Sequence, residues 1–222
     1  MYLSLRRGFL FIHIPKTAGT ALTLALEERA LRDDIIVGDT PKARARARRQ
    51  RHLSCTGRLW KHSTLSDLDG LLPARELEEL VTFTLVRNPW DRVASLYFWL
   101  KEQAFAHPMV GIAKTEDFSG FIRSPTVALS LRTNGFESYL LRPDGSIKPS
   151  HFVRIEQFGE DFAPIARHLG YPLPDLEHVN QSKRPRDWRG LYSDMDARWG
   201  GDLCSADIQR FGYCFDPPGL VG

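Results

Sequence analysis

Lys16, Thr17 and Thr20 lie in the run Phe9-Leu-Phe-Ile-His-Ile-Pro-Lys-Thr-Ala-Gly-Thr20, which continues as Ala21-Leu-Thr-Leu-Ala-Leu26. An ammonium and two hydroxyls around a glycine, between an apolar stretch and a helical one, suit a phosphate or sulfate. Unpaired backbone N–H groups and the positive end of the dipole collect where a helix begins. A Walker A loop needs Gly-x4-Gly-Lys-Ser/Thr, its hydroxyl holding magnesium. Here the lysine precedes the glycine, and no Walker B aspartate closes the apolar stretch 80–86. The loop reads as an anion cradle without a metal, set against the plainer reading of strand, turn and helix with an exposed lysine.

A second group of chemical residues falls in Thr82-Phe-Thr-Leu-Val-Arg-Asn-Pro-Trp-Asp-Arg-Val-Ala-Ser-Leu-Tyr97. Arg87 stands where a strand ends and a helix is about to begin, the edge of a parallel sheet at which ligands bind. A guanidinium there can fork onto a phosphate. Ser95, on a different helix face from Trp90, Val93 and Tyr97, can offer a hydroxyl to the same group. Asp91 and Arg92 read as a local ion pair and cap. The competing reading of Arg87 is a structural pair with a carboxylate.

These residues need elements to hold them. Residues 9–14 read as a central parallel strand ending at Pro15, and 18–31 as a helix. Residues 34–37 suit a short strand, 65–80 one or two helices broken at Pro73, and 80–86 a second buried strand. An amphipathic helix follows Pro89, with Trp90, Val93, Ala94, Tyr97 and Phe98 on one face. Residues 115–123 read as helix, 138–141 as an edge strand before a Pro143–Gly145 turn, and 152–155 as a third strand. A helix over 158–169 stops at Gly170, and two more follow the polar loop 179–187. Strands alternating with helices predict one α/β domain over 1–222, with a central, mostly parallel sheet flanked by helices in three layers.

The two chemical segments together resemble the sulfotransferases that use 3′-phosphoadenosine 5′-phosphosulfate (PAPS). The matching residues are Ile14-Pro-Lys-Thr-Ala-Gly-Thr20, then Val86-Arg-Asn-Pro-Trp-Asp-Arg92 with Ser95. The flavour is closest to the carbohydrate enzymes, including the heparan sulfate 2-O type and bacterial relatives. Weaker likeness continues through Phe152-Val-Arg-Ile-Glu-Gln-Phe158, Val179-Asn-Gln-Ser-Lys183 and Asp207-Ile-Gln-Arg-Phe-Gly-Tyr213. The resemblance implies a P-loop-like fold. It implies that Lys16, Thr17, Ala18, Gly19, Thr20 and Ala21 grip the 5′-phosphosulfate, and that Arg87 and Ser95 grip the 3′-phosphate. It implies a histidine base between the two motifs, for which His62 in Lys61-His-Ser-Thr-Leu-Ser66 has the suitable context. Lys16 would also offset charge on the leaving group, and Ser182 and Lys183 would lie near the nucleotide. Arg154 and Glu156 follow the family pattern and read as structural, and His13 as a core or near-site histidine. The acceptor implied is a hydroxyl of a glycan or glycolipid, and the product nucleotide is 3′-phosphoadenosine 5′-phosphate (PAP).

Bulk properties set the remaining limits. The 222 residues are 42% hydrophobic and 26% charged, the balance of an ordinary globular domain. No apolar run is long enough to span a bilayer and no signal peptide is visible, so a cytoplasmic setting is the expectation. The three cysteines, Cys55, Cys204 and Cys214, are too scattered for a disulfide framework or a zinc site. The segment Lys42–Arg51 carries six Lys and Arg residues, and without them the net charge of +3 becomes −3. Lys42, Arg46 and Arg49 share one helical face, and Arg44, Arg48 and Arg51 another. The segment reads as a solvated face or as the contact for an anionic acceptor. No aromatic residue interleaves with it, which speaks against a nucleic-acid partner. Nothing in the sequence sets an oligomeric state. The rival functions are a P-loop-type small-molecule kinase and a non-catalytic domain that binds nucleotide or anionic glycan.

Overall fold

A computed structural model describes residues 1–173, 176, 185 and 187–216. The chain runs β1 (Tyr2–Ser4), β2 (Phe9–Ile12), α1 (Gly19–Glu27), β3 (Ile35–Ile36), α2 (Pro41–Arg46), α3 (Ala74–Glu79) and β4 (Val81–Val86). It continues as α4 (Pro89–Lys101), α5 (Pro108–Thr115), α6 (Phe118–Arg123) and α7 (Pro125–Thr133). The last elements are β5 (His151–Arg154), α8 (Phe158–Leu169), α9 (Asp194–Leu203) and α10 (Ser205–Phe211). Two compact units divide it: Met1–Val86 with Phe136–Asn180, and Arg87–Gly135 with Gln181–Gly222.

The first unit is α/β. Its five-stranded sheet has the order β3-β1-β2-β4-β5. The centre is parallel, Phe9 opposite Val81 and Ile12 opposite Thr84, then Phe83 opposite His151 and Val86 opposite Arg154. β1 and β3 extend it antiparallel, with Tyr2 opposite Phe11 and Ile36. The centre of the sheet, β2, β4 and β5, is thus parallel as the sequence predicts, and its other side is antiparallel because β1 folds back on β2 through the turn Leu5–Gly8. Gly8 makes that turn at φ +64°, a conformation glycine enters at little cost, and its N–H donates to the Leu5 carbonyl at 3.1 Å.

Alternation along the strands fixes the packing. Tyr2, Phe9, Phe11, Phe83, Leu85 and Val153 point to one face, where Leu22 and Leu26 of α1 and Phe162 and Ile165 of α8 meet them. Phe83 touches both Phe9 and Phe11, ring centres 5.8 and 5.5 Å apart. On the opposite face Leu3, Leu10, Ile12 and Val86 are also buried. Each large side chain so buried contributes about 1.5–3 kcal/mol. The α8 helix ends where Gly170 takes φ +78°, as its sequence implies.

The second unit is helical. Val93, Tyr97 and Leu100 of α4 pack with Val110, Phe121, Ile122, Val127, Leu131 and Leu203. The buried carboxylate of Asp196 organises part of it, accepting from Arg123 Nε at 2.8 Å, Ser119 at 3.1 Å and Ser193 at 2.6 Å.

Several expectations shift. The helix over 65–80 is confined to α3, and 65–72 form turns closed by a bridge between Asp69 and Leu72. The edge strand at 138–141 is a 3-10 turn over Phe136–Leu140, followed by a bridge from Leu141 to Ile147. The helix over 115–123 starts at Phe118, where the Asp117 side chain caps α6, and a separate helix, α5, ends at Thr115. The basic helix stops at Arg46 and continues as turns. No helix among the described residues is long and apolar enough to cross a membrane.

Candidate functional site

In the first unit, β2 delivers the chain to the loop 13–18 and α1 starts at Gly19. Two non-glycine residues of the loop, Lys16 and Ala18, hold φ of 67° and 60°. Side chains other than glycine avoid this region, at a cost on the order of 1–3 kcal/mol each, and such conformers cluster at ligand clamps. The Thr17 hydroxyl, fully buried, donates to the Ile14 carbonyl at 2.9 Å and stitches the loop into its bend. Ala18 is the N-cap of α1 and no side chain caps the helix. The N–H groups of the first turn, from Gly19 to Ala21, have no partner further up the helix and no capping side chain. Successive N–H groups around left-handed residues make a concave nest for an anion. A phosphate or sulfate fits this loop by both its backbone and its charge. Lys16 and Thr20 are half-buried along it.

His62 lies in the same unit. Its Nδ1 is 2.7 Å from the His13 carbonyl oxygen. A carbonyl only accepts, so Nδ1 carries the proton and Nε2 the lone pair. The ring meets His13 edge-on at 4.6 Å and Trp60 edge-on at 5.1 Å. Burial pushes its pKa down to about 4, with the neighbouring Lys61 charge adding to the effect and the His13 hydrogen bond opposing it. Lys61 is itself paired with Asp39 and, by hydrogen bonding, holds that carboxyl below its usual range. At neutral pH His62 is an uncharged imidazole of one tautomer, able to take a proton.

Two other histidines are tied up in hydrogen bonds to backbone groups. His107 caps α5, accepting from the Met109 N–H at 3.2 Å. His168 Nε2 lies 2.9 Å from the Arg7 carbonyl. Both are structural. Sequence reading did not find the His13 contact of His62, which joins residues 49 positions apart and has no signal in local spacing; the Trp60 contact is local, two positions away.

In the second unit, Arg87 directly follows β4 in the chain and pairs with Asp91, its Nε and Nη2 at 2.6 and 2.5 Å from the same carboxylate oxygen. Asp91 thus pairs with Arg87, the structural carboxylate partner that the sequence left open for that arginine. The cap of α4 is Asn88, whose side chain accepts from Trp90 N–H at 3.1 Å and donates to the Cys214 carbonyl at 3.0 Å. The Trp90 indole donates to the Ala197 carbonyl and the Trp90 carbonyl accepts from Tyr192, both at 2.8 Å, so the start of α4 is braced by α9. Ser95 is buried on α4, 5% exposed. Arg154, in the first unit, forks onto Asp161 at 2.7 and 2.8 Å, a structural pair as read. Ser182 and Lys183 lie outside the described residues.

The basic segment separates into two sets. Arg46 donates to the carbonyls of Leu31 at 2.8 Å and Asp34 at 3.1 Å, and Lys42 bonds the Glu27 carbonyl. Arg49 reaches the Asp34 carbonyl at 3.5 Å. These three lie against the end of α1 and the turn after it. Lys42, Arg44, Arg48, Arg49 and Arg51 are all exposed and Arg46 is half-buried, so the two sets differ in their carbonyl partners rather than in exposure.

No family model matches the chain, and no curated protein matches it in sequence. Among solved structures, the chain is similar to the crystal structure of mouse sulfotransferase SULT7A1 complexed with PAP. The likeness has a TM-score of 0.54 and 15% identity, over 95% of this chain and 87% of that one. The chain has the fold of a sulfotransferase, a mixed α/β arrangement with a central five-stranded sheet flanked by helices.

Proposed function

We propose that this chain is a sulfotransferase that moves a sulfuryl group from PAPS to an acceptor hydroxyl, with the whole of 1–222 acting as one domain. The observation that carries the reading is the loop 15–20. It combines left-handed Lys16 and Ala18, an α1 start with no side-chain cap, and a lysine, on a fold whose solved relative holds PAP. When bound, PAPS supplies an activated sulfuryl group on a good leaving group.

The chain's own residues do the rest. The N–H groups of Ala18 to Ala21 and the Thr20 hydroxyl hold the transferring end, with Thr17 locking the bend that presents them. Lys16 offsets charge as it builds on the departing oxygen, electrostatic stabilisation by a preset cation. His62 Nε2 takes the acceptor proton as the sulfur–oxygen bond forms, a role suited to a neutral imidazole. Arg87, oriented by Asp91, and Ser95 hold the 3′-phosphate. That selects PAPS over nucleotides without it, and Ser182 and Lys183 serve the same nucleotide. The acceptor is a carbohydrate or glycolipid hydroxyl, the setting is cytoplasmic, and exposed Arg44, Arg48 and Arg51 meet an anionic acceptor.

The test is transfer of label from sulfur-35 PAPS to neutral and acidic oligosaccharides and glycolipids, scored with PAP release. Acceptor-dependent transfer supports the reading, and PAP binding without transfer to any hydroxyl acceptor contradicts it.

A further inference from the structure

His13 stands between the two parts of this chemistry in the first unit. It follows β2, is 6% exposed, and stacks on Phe11 at 5.8 Å. One side of its ring meets His62. Another side meets Gly19, where an added Cβ would fall 2.1 Å from His13 Cδ2 and 2.3 Å from Nε2. Real Cβ atoms do not come so close, so either ring or helix must move if position 19 gains a side chain. Gly19 is not in the left-handed region. Its missing side chain admits the histidine, and α1 begins in direct contact with the ring. The His13 carbonyl meanwhile accepts from His62 Nδ1.

We propose that His13 is a positioning residue that holds the 16–20 loop and His62 in one arrangement. Its ring sets where α1 and the loop's N–H groups stand, and its carbonyl sets the tautomer and aim of His62. This rests on reading the loop as the phosphosulfate cradle and His62 as the base. Transfer in line between fixed groups is steeply sensitive to placement: a shift of 1 Å costs about a hundredfold in rate. Burial keeps the ring's pKa well below the ordinary imidazole range, helped by nearby His62, Lys61 and Lys16. The ring is therefore a neutral spacer.

Four full-length proteins test this: the parent, Gly19→Ala, His13→Ala and the double variant, with His13→Val replacing His13→Ala if that variant does not fold. The thermal midpoint, the Kd for PAP, and kcat and KM for PAPS are measured on each. Gly19→Ala is expected to lower the midpoint and weaken PAP about tenfold or more, by the clash described. Adding His13→Ala is expected to restore both, because the methyl enters the vacated space. His13→Ala alone is expected to lower kcat about tenfold while KM for PAPS moves less than about threefold, a split that simple loss of packing does not give. Parent-like PAP binding by Gly19→Ala, losses that add in the double variant, or an unchanged kcat in His13→Ala would each overturn the proposal. A parent protein that neither binds PAP nor transfers sulfate defeats the functional reading instead. The midpoints then still decide whether positions 13 and 19 are coupled, and additive midpoints overturn that too.

Discussion

His62 joins a hydrogen bond that fixes one tautomer to a burial that keeps the ring uncharged. His62→Ala is expected to lose about 10²–10⁴-fold in kcat while the PAP Kd stays within about threefold, measured by steady-state kinetics and calorimetry. A variant as active as the parent removes His62 as the base. The same burial has a consequence for stability. The unfolded ring protonates near its ordinary pKa of 6.5 and the folded one near 4. Between these values the unfolded state binds more protons, so stability rises with pH through this window and is fully present above it. Thermal midpoints from pH 7 to pH 4 are expected to fall, and less steeply in His62→Gln. Arg87 offers a sharper test of ligand identity. Arg87→Ala is expected to weaken PAP about 10- to 100-fold, the worth of a charge-assisted hydrogen bond. Adenosine 5′-phosphate, which lacks the 3′-phosphate, should bind equally to parent and variant. Equal loss of both nucleotides would place Arg87 elsewhere.

Among the elements, α2 shows how a charge run is divided by its packing. Arg46 caps carbonyls after α1, while Arg44 faces water. Arg46→Ala is therefore expected to cost about 1–3 kcal/mol through carbonyls that lose a charged donor, seen as a lower urea midpoint. Replacing Arg44, Arg48 and Arg51 together should leave that midpoint within about 0.5 kcal/mol and raise KM for an acidic acceptor only. A neutral acceptor affected equally would rule out the contact. The division follows contact with the end of α1 and the turn after it rather than two helical faces, because the helix stops at Arg46 and Arg48, Arg49 and Arg51 lie in turns. Other elements were legible to different degrees. β2, β4, α4 and α8 have continuous or periodic apolar residues with proline or glycine at their ends, and these signals are local. β1 has only Tyr2 and Leu3 before Ser4 and two arginines, and its strand state comes from pairing with β2 and β3. The α7 helix also carries a local signal, Pro125 at its first position with Val127, Ala128 and Leu131 buried.

At the scale of the whole molecule, the two units interrupt each other in sequence, the chain leaving the sheet-bearing unit at Val86 and re-entering it at Phe136. Composition changes little at these positions, which is why the sequence reads as one stretch without a linker. The candidate residues follow that division. Lys16 to Ala21 and His62 belong to the first unit, Arg87 and Ser95 to the second. The candidate motif residues were legible because their chemistry is carried by type and spacing. The contact of His13 with His62 was not, because it joins residues 49 positions apart, whereas the Arg87–Asp91 pair has the local spacing of one helical turn. The most direct test of the central claim is the thermal midpoint with PAP against ATP and magnesium, each with and without chelator. PAP at a hundred times its Kd should stabilise by about 2.7 kcal/mol, a rise of several degrees for a chain of this length, unchanged by chelator and absent with ATP. A rise with ATP and magnesium alone, abolished by chelator, would contradict the sulfotransferase reading and favour a kinase.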